Sequence, residues 1–150
     1  IKLGDFKKIK FLLGRDWAIT GKVEHGNKNG NKLGFPTANL ILSDLLEPKF
    51  GVYLSNTFLM SNCGQNMISD ELPSVTNFGI RPTINGKKPV FETHILDIEN
   101  FLEDKNLYGK RIYVKLKSYI RPEKKFSSLN DLKLQITKDT KFAKDLHGNK

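Results

Sequence analysis

The chain has 150 residues, 27% of them charged and 38% hydrophobic, which fits one soluble globular domain large enough to bury its own core. Its apolar runs are only a few residues long, which excludes a transmembrane helix, and its start lacks the apolar segment of a signal peptide. A single cysteine, Cys63, excludes an internal disulfide and a cysteine-based zinc site and is in keeping with a reducing cytoplasm.

The net charge is +9, from 25 Lys and Arg against 16 Asp and Glu. This balance fits either nucleic-acid binding or the attraction of a polyphosphate ligand. Because the lysines are scattered along the chain, the charge alone does not choose between these two classes of partner.

The hydrophobic pattern is mostly that of β-structure. Residues 4–13 are amphipathic and favour a short helix or an interdomain connector. Alternation and β-forming residues then predict strands at 18–23, 38–42, 51–59, 72–78, 89–96 and 111–117. Residues 60–72 are polar and predict a loop or hairpin tip. Strands at this short spacing are typical of a barrel or a sandwich.

The last 25 residues change to helical spacing, carried by Leu129, Leu132, Ile136, Ala143 and Leu146. The segment 128–131 offers a capping box of Ser and Asp, and the glycine at 148 offers a stop. We therefore predict a mainly-β protein, a closed antiparallel barrel with a C-terminal α-helix packed on it.

The segment 33–39, LGFPTAN, follows a loop rich in Gly and Asn at 26–32. Glycines let backbone N–H groups approach an anion closely. Thr37 and Asn39 are two residues apart, so in an extended segment they point to the same side. Both carry neutral oxygens suited to Mg²⁺, and Pro36 fixes the backbone beforehand. The alternative is an ordinary surface turn, since these residues are common turn formers.

The segment 91–97, FETHILD, holds a candidate general base. Glu92 and His94 alternate within a strand-like run and share one face. A carboxylate that points into a ligand pocket can accept the hydroxyl proton of an alcohol. A solvent-exposed strand glutamate is the alternative. No Walker A motif and no protein-kinase H-R-D or D-F-G motif occurs, so any phosphoryl transfer needs another scaffold.

These segments belong to a longer ordered set. GKVEHG (21–26), LGFPTANL (33–40), GVY (51–53), NFGIRPT (77–83), FETHILD (91–97), LYG (107–109), IRPE (120–123) and KF (125–126) follow one another. The set spans residues 14–146 and resembles riboflavin kinase, more specifically the C-terminal kinase module of the bacterial bifunctional riboflavin kinase/FAD synthetase. PTAN and ETHILD are its specific parts; GVY and LYG are weak alone.

The resemblance implies a six-stranded Greek-key barrel that phosphorylates the riboflavin 5′-hydroxyl with ATP and Mg²⁺, giving FMN and ADP for FMN and FAD biosynthesis. It implies that Glu92 is the catalytic base and that Thr37 and Asn39 hold Mg²⁺. The nucleotide-binding residues that it implies are Gly26, Gly30, Lys32, Thr37, Asn39 and His94. Those implied for the flavin are Arg81, Arg121 and Glu123. For each arginine the alternative is a surface ion pair with Glu123 or Asp97.

The resemblance also implies domain organisation. Residues 1–13 are then a connector from an N-terminal FMN adenylyltransferase domain, which the missing initiator Met also favours, and residues 14–150 are the kinase domain. The expected partners are ATP, riboflavin and that linked domain, with no nucleic acid and no membrane, in the cytoplasm.

One position departs from the family pattern. The family usually carries a basic residue where this chain has Asn31, and Lys22, Lys28 or Lys32 could supply the charge. This departure leaves open a degenerate kinase barrel that binds FMN or regulates a partner. The basic charge leaves open a barrel that binds single-stranded nucleic acid.

Overall fold

Six antiparallel strands form the body of the protein, with one helix before them and one after. The computed structural model describes residues 5–25, 33–41, 47–83, 86–102 and 106–148, without the side chains at 81–83, 86 and 87. The elements are α1 (Phe6–Leu13), β1 (Ala18–Lys22), β2 (Ala38–Ile41), β3 (Gly51–Met60), β4 (Leu72–Thr83), β5 (Gly86–Ile95), a 3-10 turn (Ile98–Asn100), β6 (Arg111–Arg121) and α2 (Leu129–Gly148).

The strand order is that of a Greek key. The strands lie in the order β1-β6-β3-β4-β5-β2. β3, β4 and β5 are neighbours both in sequence and in the sheet. The connections from β2 to β3 and from β5 to β6 each pass over other strands of the sheet. The two edge strands meet just beyond β1, where the backbone N–H of Glu24 donates to the carbonyl of Asn39 at 2.9 Å. The sheet is therefore a nearly closed barrel with a C-terminal helix. The predicted six-stranded barrel is confirmed. Its two edges are joined only by this short bridge between Glu24 and Asn39 in the described part of the chain.

The pairing of β4 with β5 extends further than the sequence predicted. Thr83 pairs with Gly86, so β4 continues past the predicted end at 78 and β5 begins before the predicted start at 89. The ladder thus includes Pro82 and Pro89, although proline usually interrupts such pairing. β6 likewise continues to Arg121 rather than ending at 117. Cross-strand pairing thus overrides the local turn signals at these positions.

The barrel interior is filled by the inward half of each strand's alternating side chains. Tyr53, Phe78 and Phe91 are each 0% exposed, and the rings of Phe50, Phe78 and Phe91 stack with centroids 4.9 and 4.3 Å apart. Phe78 is therefore a core residue and not one that stacks on a ligand.

A chain of hydroxyl groups crosses the same interior. Ser55 bonds to Ser74 at 2.9 Å and to Thr76 at 2.8 Å, Thr57 bonds to Ser74 at 2.9 Å, and Thr76 bonds to Thr93 at 2.9 Å. All of these residues are 0% exposed. An unpaired buried hydroxyl costs about 1–3 kcal/mol, so this mutual bonding is what makes a polar strip tolerable inside the barrel.

The first helix packs on the barrel. Asp5 caps α1 by accepting a hydrogen bond from the backbone N–H of Lys8 at 3.0 Å. Phe6 and Ile9 are buried, and Phe6 meets Tyr53 edge-on at 5.4 Å. The helix thus adds to the barrel core. The boundary between a connector at 1–13 and a domain at 14–150 stays a prediction.

The C-terminal helix begins at its predicted cap. The Ser128 hydroxyl accepts a hydrogen bond from the backbone N–H of Asp131 at 3.1 Å and donates to the Asp131 carboxylate at 2.8 Å. The Ser128 hydroxyl and the Ser127 hydroxyl, which donates to the same carboxylate at 2.9 Å, lower the pKa of Asp131, because hydrogen bonds to a carboxylate favour its charged form.

The helix covers the outer face of the barrel only in part. Ala143 packs against Val52, Val75 and Leu96 in a second small cluster. Of the apolar residues whose spacing predicted α2, only Ala143 is buried; Leu132 and Ile136 are half-buried, and Leu129 and Leu146 are exposed. The half-buried pair lines an open space between α2 and the sheet.

Candidate active site

A single row of paired residues crosses five strands on the outer face of the barrel. Asn39 on β2 lies opposite Glu92 on β5, which lies opposite Asn77 on β4. Asn77 in turn pairs with Val52 on β3, and Val52 pairs with Arg121 on β6. Paired residues point to the same face of an antiparallel ladder. The register therefore gathers one carboxylate, two amides and one guanidinium at one level of the sheet.

Two irregularities in the pairing of β3 with β6 bring Arg121 into this row. The register shifts twice, and each shift adds one residue to β6, as a β-bulge does. In a regular ladder Val52 would lie opposite Tyr119 instead of Arg121. Gly51 permits the close approach of the two strands, because its φ is 147° and a Cβ there would collide with the Arg121 carbonyl oxygen.

The row opens into a cavity of about 190 Å³ between the sheet and α2. Strand residues form its floor, and α2 with the segment before it forms its roof. The apolar part of the wall comes from Val52, Val75, Phe126, Leu132 and Ile136. The polar part includes Thr37, Asn77, Glu92, His94 and Arg121. Such a mixture of apolar surface with a few converging polar groups is typical of a small-molecule site.

Glu92 is half-buried and lines this cavity. Its paired neighbours on both sides, Asn39 and Asn77, are neutral amides rather than acids. A carboxylate in this position can accept a proton from a bound alcohol, since it is an acceptor at both oxygens when ionised. The structure thus places Glu92 where a general base would be needed, and its catalytic role stays a prediction.

A hydrogen bond connects the turn that precedes β2 to β5. The Nδ1 atom of His94 lies 2.9 Å from the carbonyl oxygen of Pro36. Thr37 lines the cavity beside Glu92. The side-chain nitrogen of Asn39 donates to the Thr37 carbonyl at 3.4 Å, and Asn39 is only 3% exposed, so it lies beneath the turn. The predicted nucleotide residues of this turn and His94 are therefore brought together.

Burial keeps the imidazole of His94 neutral. Burial lowers the pKa of His94, whereas the hydrogen bond to Pro36 and the nearby Asp97 and Glu99 raise it by less. A carbonyl oxygen only accepts, so Nδ1 carries the ring hydrogen and Nε2 is an acceptor. His94 therefore acts on the turn as a neutral donor rather than as a positive charge.

Arg121 forms an ion pair with Asp139, a partner that the sequence analysis did not predict. Its Nε and Nη2 donate to the Asp139 carboxylate at 3.0 and 2.6 Å, and its Nη1 donates to the Pro122 carbonyl at 2.9 Å. The ion pair considered as the alternative involved Glu123 or Asp97; the structure shows Asp139 on α2 instead. A role of Arg121 toward flavin stays a prediction.

Among the described residues, two ion pairs join α2 to the barrel, and they differ in solvent exposure. The Lys144–Asp97 pair is 47% exposed on each side, so it stabilises the fold by at most about 1 kcal/mol. The Arg121–Asp139 pair is 15% and 9% exposed, and removing one partner of such a buried pair costs about 3–5 kcal/mol. The buried pair is therefore the stronger link between the helix and the site.

Glu123 also lines the cavity, although it is mostly exposed. Its carboxylate lies against the backbone of Gly79 on β4, where an added Cβ would collide with it. The absence of a side chain at Gly79 is thus what leaves room for the Glu123 carboxylate at the rim.

Part of the predicted site lies outside the described residues. Gly26, Gly30 and Lys32 fall in the segment 26–32 that is not described, and Arg81 is described only as backbone of β4. Their predicted roles in nucleotide and flavin binding stay predictions.

Asn77, Phe126 and Asp139 are among the cavity residues that were not predicted as site residues. Asn77 sits in the quoted segment NFGIRPT, but only the register shows that it flanks Glu92. Phe126 lines the cavity as part of its apolar wall. Asp139 belongs to the polar positions of α2, and its burial to 7% exposure has no signal in a single sequence.

A second cavity of about 230 Å³ lies on the other side of His94. It is bordered by Gly34, Pro36, Ile98 and Lys144, and it shares His94, Phe35 and Thr140 with the first cavity. These shared residues form a partition between the two spaces, next to Thr37.

Within the described ranges, neither helix has the length and apolar character needed to cross a membrane. Those same ranges hold no group of three or more His, Cys, Asp and Glu side chains that could bind a metal ion. A cation at this site would therefore depend on other oxygen ligands. Cys63 is a free, exposed thiol in the segment 60–72.

Comparison with known proteins agrees with this architecture. The family model described as riboflavin kinase matches residues 13–147. The chain is 39% identical to the bifunctional riboflavin kinase/FMN adenylyltransferase of Escherichia coli K12 over 91% of this chain and 40% of that protein. The chain spans about two fifths of the length of the curated relatives it matches.

Two solved structures have a similar fold. One, described as a macrolide-efflux protein from Streptococcus pneumoniae, has a TM-score of 0.76 and 28% identity over 94% of this chain and 42% of that one. The other, the riboflavin kinase of Trypanosoma brucei, has a TM-score of 0.60 and 25% identity over 86% of this chain and 75% of that one. With a family model covering nearly its whole length and a barrel of the same kind, the chain belongs to the riboflavin kinase family.

Proposed function

We propose that this chain transfers the γ-phosphoryl group of ATP to the 5′-hydroxyl of riboflavin, giving FMN and ADP. The observation that carries the proposal is the position of Glu92, which lines a mixed apolar and polar cavity between two amide-bearing strands and beside Thr37. Family membership supports the same reaction.

The donor set at the turn fits a hard cation. Thr37 offers a hydroxyl and Asn39 an amide oxygen, and Mg²⁺ takes neutral oxygen ligands together with phosphate oxygens and water. The lack of an acidic cluster among the described residues is compatible with this, since Mg²⁺ in kinases is held by few protein groups plus the substrate phosphates. When bound, Mg²⁺ would neutralise charge on those phosphates.

The protein's own groups then have separate tasks. Glu92 orients the riboflavin hydroxyl and accepts its proton as the bond to phosphorus forms. Thr37 and Asn39 position the phosphates, and His94 holds their turn in place through Pro36. The role predicted for the loop at 26–32, to cover the nucleotide and exclude water, lies outside the described residues.

The two cavities suit two substrates. The apolar wall of the first, formed by residues such as Phe126, Leu132 and Ile136, matches a flat heteroaromatic ring. Arg121 and Glu123 would then contact polar edges of the flavin. The nucleotide would approach from the second cavity, so that its phosphates pass Thr37 at the partition.

We further propose that the kinase acts beside an FMN adenylyltransferase domain in the cytoplasm, with that domain preceding α1. The curated relatives are bifunctional riboflavin kinase/FMN adenylyltransferases, and this chain covers only 40–42% of their length, which supports a linked domain. FMN made here would then be the substrate of the linked domain.

The test is chromatographic detection of FMN formed from riboflavin and ATP, with and without Mg²⁺. We expect FMN only with Mg²⁺. We expect Glu92→Gln to lower kcat by about 10²–10⁴-fold with nucleotide affinity nearly unchanged, because the substitution removes the proton acceptor and keeps the size.

A matched control is Glu71→Gln, at an exposed glutamate 3.9 Å from Lys115, which should leave the rate unchanged. Equal loss of turnover and of nucleotide binding in Glu92→Gln would show a structural role. Steep salt-dependent oligonucleotide binding without flavin binding would support the nucleic-acid alternative instead.

A further inference from the structure

Asp139 is a buried acid that lines the first cavity from the helix side. It lies on α2, is 7% exposed, and borders the cavity together with Arg121. A buried carboxylate is stable only when it is paired and hydrogen-bonded. Asp139 meets that condition through Arg121 and through the side-chain amide of Gln135, which donates to its Oδ1 at 3.0 Å.

The hydrogen bonds of Arg121 leave a defined edge for a ligand. A guanidinium has five N–H hydrogens in a rigid plane. The Asp139 carboxylate accepts the Nε hydrogen and one Nη2 hydrogen, and the Pro122 carbonyl accepts one Nη1 hydrogen. Among the described residues these bonds leave one hydrogen on Nη1 and one on Nη2 for a ligand. The two-point contact with Asp139 therefore fixes the plane of the guanidinium.

The ion pair also changes what Arg121 recognises. A free guanidinium favours phosphate, whereas one whose side edge is bound to a carboxylate forms a neutral pair with a planar face and two donors. Such a pair suits a flat, uncharged ring with carbonyl and nitrogen acceptors better than it suits a polyphosphate.

We propose that Asp139 is a positioning residue that holds Arg121 for the flavin ring and, by neutralising it, keeps this side of the cavity selective for flavin over nucleotide phosphate. Gln135 supports Asp139 in this role. The inference rests on the proposed function, because it takes the cavity as the flavin site.

The decisive variant is Asp139→Asn, which keeps the size and removes the charge. We expect the KM for riboflavin to rise roughly tenfold, as for a lost charge-assisted hydrogen bond, while the KM for ATP stays within about twofold. The matched control is Asp145→Asn, an exposed aspartate on the same helix, which should change neither constant. Riboflavin Kd from fluorescence quenching provides a second readout.

A double-mutant cycle separates positioning from general packing. If Asp139 acts through Arg121, Asp139→Asn should have little further effect on riboflavin KM in an Arg121→Lys background, because coupled residues are not additive. Where Asp139→Asn does not fold, Gln135→Met removes only the supporting bond and should raise riboflavin KM by about two- to threefold.

The outcomes are distinct. An unchanged riboflavin KM and Kd in the folded variants, an equal rise in both KM values, or additivity with Arg121→Lys overturns the role of Asp139. If wild-type protein binds riboflavin but forms no FMN, only the proposed reaction is overturned. The double-mutant cycle of Asp139 and Arg121 is then measured through the riboflavin Kd instead of the KM. Wild-type protein that does neither overturns both.

Discussion

His94 on β5 is joined to Pro36 in the turn before β2 by a 2.9 Å contact between Nδ1 and the carbonyl oxygen, across 58 residues of sequence. The ring also meets Phe35 edge-on, with centroids 5.4 Å apart. The strand that carries Glu92 therefore also positions the turn that carries Thr37, so the proposed base and the proposed phosphate site share one support.

Removing this hydrogen bond should weaken nucleotide binding more than flavin binding. His94→Phe keeps a ring against Phe35 but cannot donate to Pro36. Since one hydrogen bond is worth about 0.5–1.5 kcal/mol, we expect the KM for ATP to rise by roughly two- to tenfold. Steady-state kinetics with each substrate varied in turn would measure this.

The control is His94→Asn, whose side-chain nitrogen can take the place of Nδ1 and should restore much of the affinity for ATP. Equal effects of the Phe and Asn substitutions would show that the bond to Pro36 has no part in nucleotide binding.

The neutral state of His94 predicts an acid-sensitive fold. Burial lowers its pKa below the ordinary 6.5, and Lys144 adds to this, while Pro36, Asp97 and Glu99 act in the opposite direction. The unfolded chain therefore binds more protons than the folded chain below pH 6.5, so stability falls as the pH drops through this value towards the folded pKa.

Urea unfolding at several pH values between 7.5 and 5 would measure this dependence. His94→Asn does not titrate, so it should lose less stability than wild type over the same range. Parallel pH profiles for the two proteins would contradict the assignment of a buried neutral imidazole.

A methyl group at Gly79 should act on the site through Glu123. Gly79→Ala places a Cβ where the Glu123 carboxylate lies, and that carboxylate is the movable end of a mostly exposed side chain. We expect the barrel to remain folded and the riboflavin KM to rise by about three- to tenfold, which lies within the range for one lost hydrogen bond.

In a Glu123→Ala background the same Gly79→Ala substitution should have little effect, because the displaced group is already gone. Gly148→Ala, where the added Cβ meets nothing within 4 Å, is a neutral control. A large fall in melting temperature for Gly79→Ala would show that the backbone, rather than Glu123, gives way.

The sequence predicted those features that depend on local pattern. Alternation showed the strands and placed Glu92 and His94 on one face, and the Ser128–Asp131 spacing identified the start of α2. The position of Arg121 depends instead on two register shifts against β3. Its partner Asp139 reaches it through the tertiary packing of α2, and the polar residues of α2 look alike in sequence. Neither the register of Arg121 nor its pairing with Asp139 therefore has a local signal in the sequence.

The alternation along β5 has a consequence for how such a protein can change. Phe91, Thr93 and Ile95 face the barrel interior, whereas Glu92 and His94 face the cavity. Neighbouring positions on one strand are thus subject to different requirements, one for folding and one for chemistry. New substrate preferences could be selected, or engineered, at the outward positions of this strand while the inward ones keep the scaffold intact.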